Sequence, residues 1–259
     1  MAGQAQRHTS PIPLESEETR RVKAWMVHLI LCEEYRCPVR FFHDMDPVSE
    51  LVSSLLSHRT RNADSGRAFK ALRERFPTWD DVAEAATSDV QQAIANVTWP
   101  EQKAPRIQHV LREIKRLRGD LSLDFLSEMT VPDARRWLEA LPGVGPKTSA
   151  ATLLFSRLRM PALPVDSHHH RVAQRVGLIP LSLGVGASHA VLEDQLPRGL
   201  SAQQVYDNHE VFMLHGQRCC YHHAPACIRC PVFVLCPTGQ RLHPELIPDG
   251  RPERDSRSA

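Results

Sequence analysis

The sequence predicts an all-α fold, because apolar residues recur at helical spacing through most of the chain and strand signals are scarce. Three long stretches carry apolar side chains three and four residues apart, the period of a helix that buries one face. No run of alternating β-branched or aromatic residues is long enough to indicate a strand. A Gly-Val-Gly turn between two helical stretches adds a predicted helix–hairpin–helix unit.

The three apolar stripes are predicted to face the core rather than a cofactor. The third of them has Arg112, Lys115 and Arg116 on its opposite face, as an amphipathic helix should. The stripes consist of Val22, Trp25, Met26, Leu29 and Ile30, of Val48, Leu51, Val52, Leu55 and Leu56, and of Ile107, Val110, Leu111, Ile114 and Leu117.

The length and composition are those of a soluble globular protein. A chain of 259 residues can bury a substantial core, as one large domain or two small ones. No apolar run approaches the roughly 20 residues that a membrane span needs. The net charge of +2 indicates only a slight preference for polyanionic partners. We expect a cytoplasmic protein, nucleoid-associated in a bacterium, with no membrane partner and flexible polar tails at 1–18 and 239–259.

The first motif that carries chemistry is the segment 141–147, Leu-Pro-Gly-Val-Gly-Pro-Lys. Gly143 and Gly145 permit a tight hairpin with positive φ, and Pro146 suits the first turn of a following helix. Free backbone N–H groups at such a turn can bind a DNA phosphate. The alternative is a plain corner between two helices. The candidate DNA contacts are Leu141, Gly143, Val144 and Gly145.

Lys147 stands in the first turn of that helix, where the partial positive charge of a helix N-terminus disfavours an ammonium group. We predict that this position lowers the lysine pKa. A neutral amine is the form that can open a Schiff-base reaction, so Lys147 is a candidate nucleophile. Taken alone, the segment favours an ordinary phosphate-binding lysine.

The second motif is the segment 164–172, Pro-Val-Asp-Ser-His-His-His-Arg-Val. Asp166 is predicted to cap the helix that follows, and a capping carboxylate stays ionised and can stabilise cationic charge at a sugar carbon. The three consecutive histidines suggest a metal site. Side chains at consecutive helical positions point in different directions, however, so we reject a single compact site there.

The third motif is a group of four cysteines in one short, proline-bearing segment. Its six-two-five spacing suits either a cubane iron–sulfur cluster or, with less usual spacing, tetrahedral zinc. The adjacent Cys219 is predicted to stand apart from this site, and Cys32 and Cys37 to be ordinary buried thiols. The predicted ligands are Cys220, Cys227, Cys230 and Cys236.

The three motifs, in this order and spacing, resemble the endonuclease III branch of the helix–hairpin–helix DNA glycosylases over roughly residues 20–238. The resemblance implies a [4Fe–4S] cluster on the four cysteines. It also implies two helical domains. A six-helix domain would span 40–160, with the helix–hairpin–helix at about 135–155, and residues 19–39 and 161–238 would form the iron–sulfur domain.

The resemblance further implies a bifunctional DNA glycosylase and abasic-site lyase of base excision repair. Its partner would be double-stranded DNA with damaged bases, oxidised pyrimidines above all, or abasic sites, bound by a monomer. The damaged nucleotide is flipped out, Lys147 attacks C1′ and forms an imine, and β-elimination cuts the strand. Asp166 assists, while His168 and Arg171 take supporting roles near the DNA backbone.

Two positions depart from the family pattern. Arg59 stands where a glutamine usually fills the hole left by the flipped base, and Trp99 stands where a second wedge is usually leucine. Arginine can hydrogen-bond the orphaned base and tryptophan can stack, so we predict that the two hold a kinked duplex together. The alternatives are a mismatch thymine or uracil glycosylase that only removes the base, a non-catalytic DNA-binding module, and a zinc-stabilised scaffold.

Overall fold

The computed structural model of the protein describes residues 16–42 and 44–247. The fold is all-α, as predicted. These residues form α-helices and short 3-10 helices, with no strand among them. None of the described helices has both the length and the apolar character of a membrane span. The α-helices are α1 (Glu17–Tyr35), α2 (Pro47–Ser57), α3 (Asn62–Arg75), α4 (Trp79–Glu84), α5 (Thr87–Ala93), α6 (Pro100–Arg118), α7 (Val131–Glu139), α8 (Pro146–Phe155), α9 (Ser167–Val176), α10 (Val185–Asp194), α11 (Ala202–Arg218) and α12 (Pro237–Leu242). The 3-10 helices are Asp124–Glu128, Cys227–Arg229, Phe233–Leu235 and Pro244–Leu246.

Two hydrophobic cores divide the chain, and α8 contributes to both. One face of α8 places Ala150 and Leu153 in the core that α2–α7 enclose. Its other face places Ala151, Leu154 and Phe155 in a second core, which α1, α9, α10 and α11 complete. The helix that follows the hairpin is therefore the shared wall between two helical units.

The described part of 40–160 contains seven α-helices rather than the predicted six. The segment from Trp79 to Ala93 forms two short helices, because Ala85 and Ala86 adopt extended backbone between them. Thr78 starts the first of these with a reciprocal capping box to Asp81. The helix–hairpin–helix lies where it was predicted, with α7 and α8 on either side of the turn.

Both predicted tails are shorter than expected where the structure describes them. α1 begins at Glu17, and the Ser16 hydroxyl caps it by accepting from the Thr19 amide at 3.2 Å. At the other end, the prediction of a flexible tail from 239 is wrong for residues 239–242, which belong to α12. Gly239 is buried there against the ring of Phe233. The remaining tail residues, 1–15 and 248–259, lie outside the described ranges.

The apolar stripe predicted for α1 is on the wrong face. Val22, Met26 and Leu29 are 57%, 45% and 51% exposed. The helix packs against α11 instead through residues on another face. These residues, Ala24, Val27 and Leu31, belong to the second core. The other two stripes are buried as predicted, except for Leu117 at the end of α6.

Cys32 and Cys37 form a disulfide, contrary to the prediction of two ordinary thiols. α1 ends at Tyr35, and Arg36 adopts left-handed backbone with φ of 63°. The chain therefore folds back, and the Cys37 amide donates to the Cys32 carbonyl at 2.9 Å. This turn brings the two Cα atoms to 4.9 Å, within the usual range for a disulfide.

Candidate active site and thiol cluster

The hairpin between α7 and α8 uses one glycine in the way predicted and the other differently. Gly143 has φ of +81°, a conformation that L side chains rarely adopt. Gly145 has φ of −109° and is the N-cap of α8, with Pro146 as the first helical residue. The positive φ predicted for Gly145 is therefore wrong, because the chain has already turned at Gly143.

The hairpin offers glycine backbone rather than side chains to a ligand. Leu141 and Val144 bury their side chains, and their amides donate within the turn to the carbonyls of Leu138 and Leu141, at 3.0 and 3.1 Å. These two predicted DNA contacts therefore cannot reach a duplex through their side chains. Within the described chain, the amides of Gly143 and Gly145 donate no hydrogen bond, so they are the groups left for a phosphate.

Gly143→Ala is expected to lower the free energy of unfolding by about 1–2 kcal/mol, because an L residue at this φ is strained. The new Cβ would also lie 2.8 Å from Cδ of Arg106, which would have to move. Gly66→Ala is the matched control, since a Cβ at this α3 position meets nothing within 4 Å and should stabilise the helix by about 0.5–1 kcal/mol. Urea unfolding of both variants checks the difference, and equal effects would contradict a strained turn.

Lys147 lies in the first turn of α8 and is partly buried. Burial lowers the pKa of its ammonium, while the negative charges of Asp166 and Glu50 act in the opposite direction. The direction agrees with the prediction, but the main cause is removal of the amine from water rather than the helix dipole. The site therefore favours the neutral amine that a nucleophile needs.

Asp166 is the N-cap of α9, as predicted, and accepts the His169 amide at 2.7 Å. Burial alone would raise the pKa of its carboxyl, but His209, this backbone hydrogen bond, and His169 and His168 together lower it. Asp166 is therefore ionised at neutral pH. Its charge acts on Lys147 directly, so the structure brings the two predicted catalytic residues into one site.

Two further polar groups face Lys147 and were missed by the sequence analysis. Glu50 on α2 is buried, accepts the Ser54 hydroxyl at 3.1 Å and raises the lysine pKa. His58 at the end of α2 has its Nε2 2.9 Å from the Thr148 hydroxyl. Burial and nearby cations, Lys147 first, lower its pKa to about 4, so this imidazole is neutral. The only signal in the sequence for a buried Glu50 is that it and Ser54 are polar residues four positions apart in a helix rich in apolar residues.

Glu210 on α11 is a third buried acid near the site. Burial, followed by the charge of Asp166, raises the pKa of its carboxyl to about 7. Two carboxyl groups with opposite pKa shifts therefore interact, one ionised at neutral pH and one that titrates close to neutral pH. Nothing in the local sequence around Glu210 distinguishes it from an exposed helical glutamate.

The three consecutive histidines point in different directions, as predicted. His168 Nδ1 lies 3.2 Å from the Arg171 guanidinium. His169 is fully buried and stacks on Phe212 with ring centroids 4.4 Å apart. His170 Nε2 lies 2.8 Å from a main-chain carbonyl of the segment before α10. Each ring therefore serves a different contact.

Arg171 is held by the protein rather than presented to a ligand. Its guanidinium donates to the carbonyls of Gly216 at 2.7 Å and Cys220 at 3.1 Å. A Cβ on Gly216 would lie only 2.7 Å from Cβ of His168, so α9 and α11 meet closely here. In the structure Arg171 supports the end of α11 and the main chain at Cys220, and its role near a DNA backbone stays a prediction.

Arg59 and Trp99 lie next to each other, although 40 positions separate them in the chain. Both have left-handed backbone, with φ of 51° and 55°. The Arg59 guanidinium lies 5.7 Å from the centre of the Trp99 ring, within cation–π range. Arg59 is exposed and Trp99 is 44% exposed, so both side chains are accessible to a macromolecular ligand.

Five thiols line a single cavity between α9, α11 and the C-terminal 3-10 helices. They are Cys219, Cys220, Cys227, Cys230 and Cys236, and His215 lies beside them. The prediction that Cys219 stands apart is wrong, because its sulfur, the sulfur of Cys230 and a His215 ring nitrogen all lie within 4.8 Å of one another. α11 ends at Arg218, and the turn after it directs both neighbouring cysteines into the cavity.

The chemistry of this cavity suits metal-bound thiolates. Burial raises the pKa of four of its thiols, so a cation is needed to hold them deprotonated. Donors already point at two of the sulfurs. Arg175 donates to Cys220 Sγ and the Gly239 amide donates to Cys236 Sγ, each at 3.3 Å. Hydrogen bonds of this kind orient metal-ligating sulfur.

Comparison with known proteins decides the family. Residues 52–183 match the sequence profile of the HhH-GPD superfamily of base excision DNA repair proteins. The chain belongs to this superfamily. The matched residues include the hairpin, Lys147 and Asp166, so the HhH-GPD match covers the site described above.

Several curated proteins are similar to this chain in sequence. A candidate DNA glycosylase of Arabidopsis thaliana is 32% identical over 65% of this chain. The endonuclease III of Thermotoga maritima is 35% identical over 52% of the chain. The aligned chain spans only 56% and 59% of the length of these two relatives. The endonuclease III of a Synechocystis strain is 25% identical over 88% of the chain and 97% of the relative.

Solved structures show the same fold. An endonuclease III in a non-covalent complex with DNA superposes with a TM-score of 0.72 at 22% identity, over 89% of this chain and all of that one. A thermostable thymine-DNA glycosylase superposes with a TM-score of 0.69 at 19% identity, over 88% of this chain. The chain therefore shares the helical fold of these solved structures.

Proposed function

We propose that this chain is a bifunctional DNA glycosylase and abasic-site lyase of the endonuclease III type, acting on damaged bases and above all on oxidised pyrimidines. The observation that carries the proposal is the placement of Lys147, a lysine with a lowered pKa, in one site with the ionised carboxylate of Asp166. The relatives named endonuclease III support the same activity.

The proposed reaction begins with the damaged nucleotide flipped out of the duplex. The Lys147 amine attacks C1′, the new N–C1′ bond forms as the glycosidic bond breaks, and the electron pair leaves with the base. Loss of the amine proton and opening of the sugar give an imine. Removal of a proton from C2′ then expels the 3′ phosphate by β-elimination.

Asp166 has two tasks in this proposal. Before attack, its carboxylate can receive the proton that Lys147 must lose, because it is ionised and acts on the same ammonium. During attack, its negative charge stabilises the positive charge that develops at the sugar. The hydrogen bond from the His169 amide holds the carboxylate in place for both.

The partner in this proposal is double-stranded DNA bound by a monomer. The amides of Gly143 and Gly145 would bind a phosphate at the hairpin. Arg59 would contact the base left without a partner, and Trp99 would stack against the neighbouring step. Their proximity, 5.7 Å between guanidinium and ring, supports a single wedge made from two loops.

A [4Fe–4S] cluster on Cys220, Cys227, Cys230 and Cys236 completes the proposal. The donor set fits, since the four thiols share one cavity and two of their sulfurs already accept hydrogen bonds. When bound, the cluster would hold the four thiolates together and order the segment after α11. Arg171 and Arg175 would keep that segment attached to α9.

Borohydride reduction on duplex DNA containing thymine glycol tests the function. A covalent protein–DNA complex is the expected result, because borohydride reduces the imine to a stable amine. Base release that leaves an intact abasic site, cleaved only after added alkali, would favour a glycosylase that merely removes the base. The absence of both trapping and base release would contradict the proposed function.

Asp166→Asn is expected to lower the single-turnover rate by about 10²–10⁴-fold, the range for loss of a general base. The rate should rise with pH through the lowered pKa of Lys147. Because Asp166 raises that pKa, its removal should move this limb to lower pH. Asparagine is as good an N-cap as aspartate, so stability should change little.

The matched control is Asp133→Asn. Asp133 is a carboxylate near the start of α7 that accepts the Thr130 hydroxyl at 2.6 Å, and it is not among the charges that shift the pKa of Lys147. The single-turnover rate of Asp133→Asn and the pH dependence of that rate should match wild type. An unshifted profile in Asp166→Asn would contradict direct action of the carboxylate on Lys147.

A further inference from the structure

Lys103 on α6 is a buried lysine that the proposed reaction does not use. It is only 5% exposed, although it lies one turn from the exposed Trp99. Its ammonium donates to the Leu56 carbonyl at 2.7 Å, the His58 carbonyl at 2.8 Å and the Thr60 hydroxyl at 2.8 Å. Three short hydrogen bonds from one buried cation fix the segment around it.

The three acceptors belong to the end of α2 and the loop that presents Arg59. The last carbonyls of a helix have no partner within the helix and carry partial negative charge. The Lys103 ammonium supplies both the donors and the opposite charge at this end. Arg59, in left-handed backbone, lies between His58 and Thr60, so two of its sequence neighbours are fixed by the same group.

The second loop is attached to the first turn of α6 by a main-chain hydrogen bond and to the Arg59 loop by Thr98. The Lys103 amide donates to the Trp99 carbonyl at 3.1 Å, in the first turn of α6. Thr98 then joins the two loops directly. Its amide donates to the Thr60 hydroxyl at 3.1 Å, and its hydroxyl donates to the Arg59 carbonyl at 2.9 Å.

We propose that Lys103 is the positioning residue of a two-loop wedge, holding Arg59 and Trp99 in the geometry that opens a DNA duplex. This inference rests on the proposed function, because it takes these two side chains as the residues inserted beside the flipped nucleotide. Burial and the charge of Arg106 lower the pKa of Lys103 to about 8, so it is still mainly cationic at neutral pH. The ammonium therefore acts on the Arg59 loop directly, and on the Trp99 loop through the Thr60 hydroxyl, which also accepts the Thr98 amide.

The test compares Lys103→Met with wild type in an assay that needs no catalysis. A duplex carries an abasic-site analogue opposite 2-aminopurine, whose fluorescence rises when it leaves the base stack. Wild type at saturating concentration should raise the fluorescence, and Lys103→Met should lose most of the rise. Lys70→Met is the control, because Lys70 is exposed on α3 with its amine 3.7 Å from Glu74. It should behave as wild type.

Strand cleavage separates positioning from general support. Misplacement of the wedge should slow cleavage of duplex DNA containing thymine glycol by about 10–100-fold. Cleavage of a single-stranded abasic oligonucleotide needs no wedge and should stay within about twofold of wild type. Equal losses on both substrates would overturn the proposal, since they would indicate damage transmitted to Lys147 through the His58–Thr148 contact.

Two outcomes keep this test distinct from that of the proposed function. If wild type cleaves neither substrate, the proposed activity fails, but the fluorescence still decides the role of Lys103. If wild type causes no fluorescence rise, the wedge and the Lys103 assignment both fail. Should Lys103→Met not fold, Thr98→Val decides instead. It removes only the hydroxyl contact to Arg59 on the surface and should show a smaller loss in the same direction.

Discussion

Lys147→Ala is expected to abolish borohydride trapping and to lower strand cleavage by at least ~10³-fold, since loss of a nucleophile leaves only binding and electrostatic effects. Base release should fall with it, because the same amine displaces the base. Single-turnover cleavage of a thymine glycol duplex and trapping on a denaturing gel check both expectations.

The variant should remain folded. A lysine whose pKa is lower in the folded than in the unfolded protein destabilises the fold at pH values where it is protonated in the unfolded state. Removing it therefore leaves the thermal midpoint unchanged or raises it. Alanine also has the best helix propensity at a position within α8.

Lys115→Ala is the control for the loss of one positive charge. Lys115 is half-buried on α6, where it pairs with Asp80 at 2.6 Å and Glu84 at 3.1 Å. Its replacement should leave trapping intact. If the covalent complex persists in Lys147→Ala and is lost when a different lysine is replaced, that other lysine is the nucleophile.

The second large effect is expected from the thiol cluster. Cys227→Ser should abolish the broad absorbance at about 400 nm that an iron–sulfur cluster gives. It should also lower the thermal midpoint by about 6–12 °C, which corresponds to a loss of ~3 kcal/mol in a chain of this size. The reason is that metal binding contributes directly to folding when its ligands are brought together only in the folded protein.

Cys219→Ser is the matched control, because Cys219 lines the same cavity but lies outside the predicted ligand set. The absorbance and the iron content should survive this change. Loss of both in Cys219→Ser, with retention in Cys227→Ser, would favour the group of His215, Cys219 and Cys230 instead. A colourless wild-type protein containing one zinc ion would contradict the cluster.

Local sequence chemistry predicted the parts of the site that depend on near neighbours. The turn at Gly143, the proline that starts α8 and the cap at Asp166 each involve residues within a few positions of one another. Such features follow from backbone sterics and from hydrogen bonds across one turn. For this reason the prediction of the helix–hairpin–helix and of the start of α9 agrees with the structure, apart from the positive φ predicted for Gly145.

Predictions about which face a helix buries were less successful. The period of α1 shows that apolar residues share a face, but a period does not say which face meets a partner. In the structure, Val22, Met26 and Leu29 are exposed, because α1 packs against α11 through another face. Cys219 is a similar case, since the turn after α11 decides where its sulfur points.

The sequence by itself determined the helical class, the hairpin, the candidate nucleophile and its carboxylate, and a dense group of cysteines. Only the tertiary structure decided that Glu50 and His58 face Lys147, and that Lys103 joins the loops of Arg59 and Trp99. The physical reason is range. Caps and turns are set by bonds between residues close in sequence, whereas burial, pKa shifts and contacts between helices depend on groups that only folding brings together.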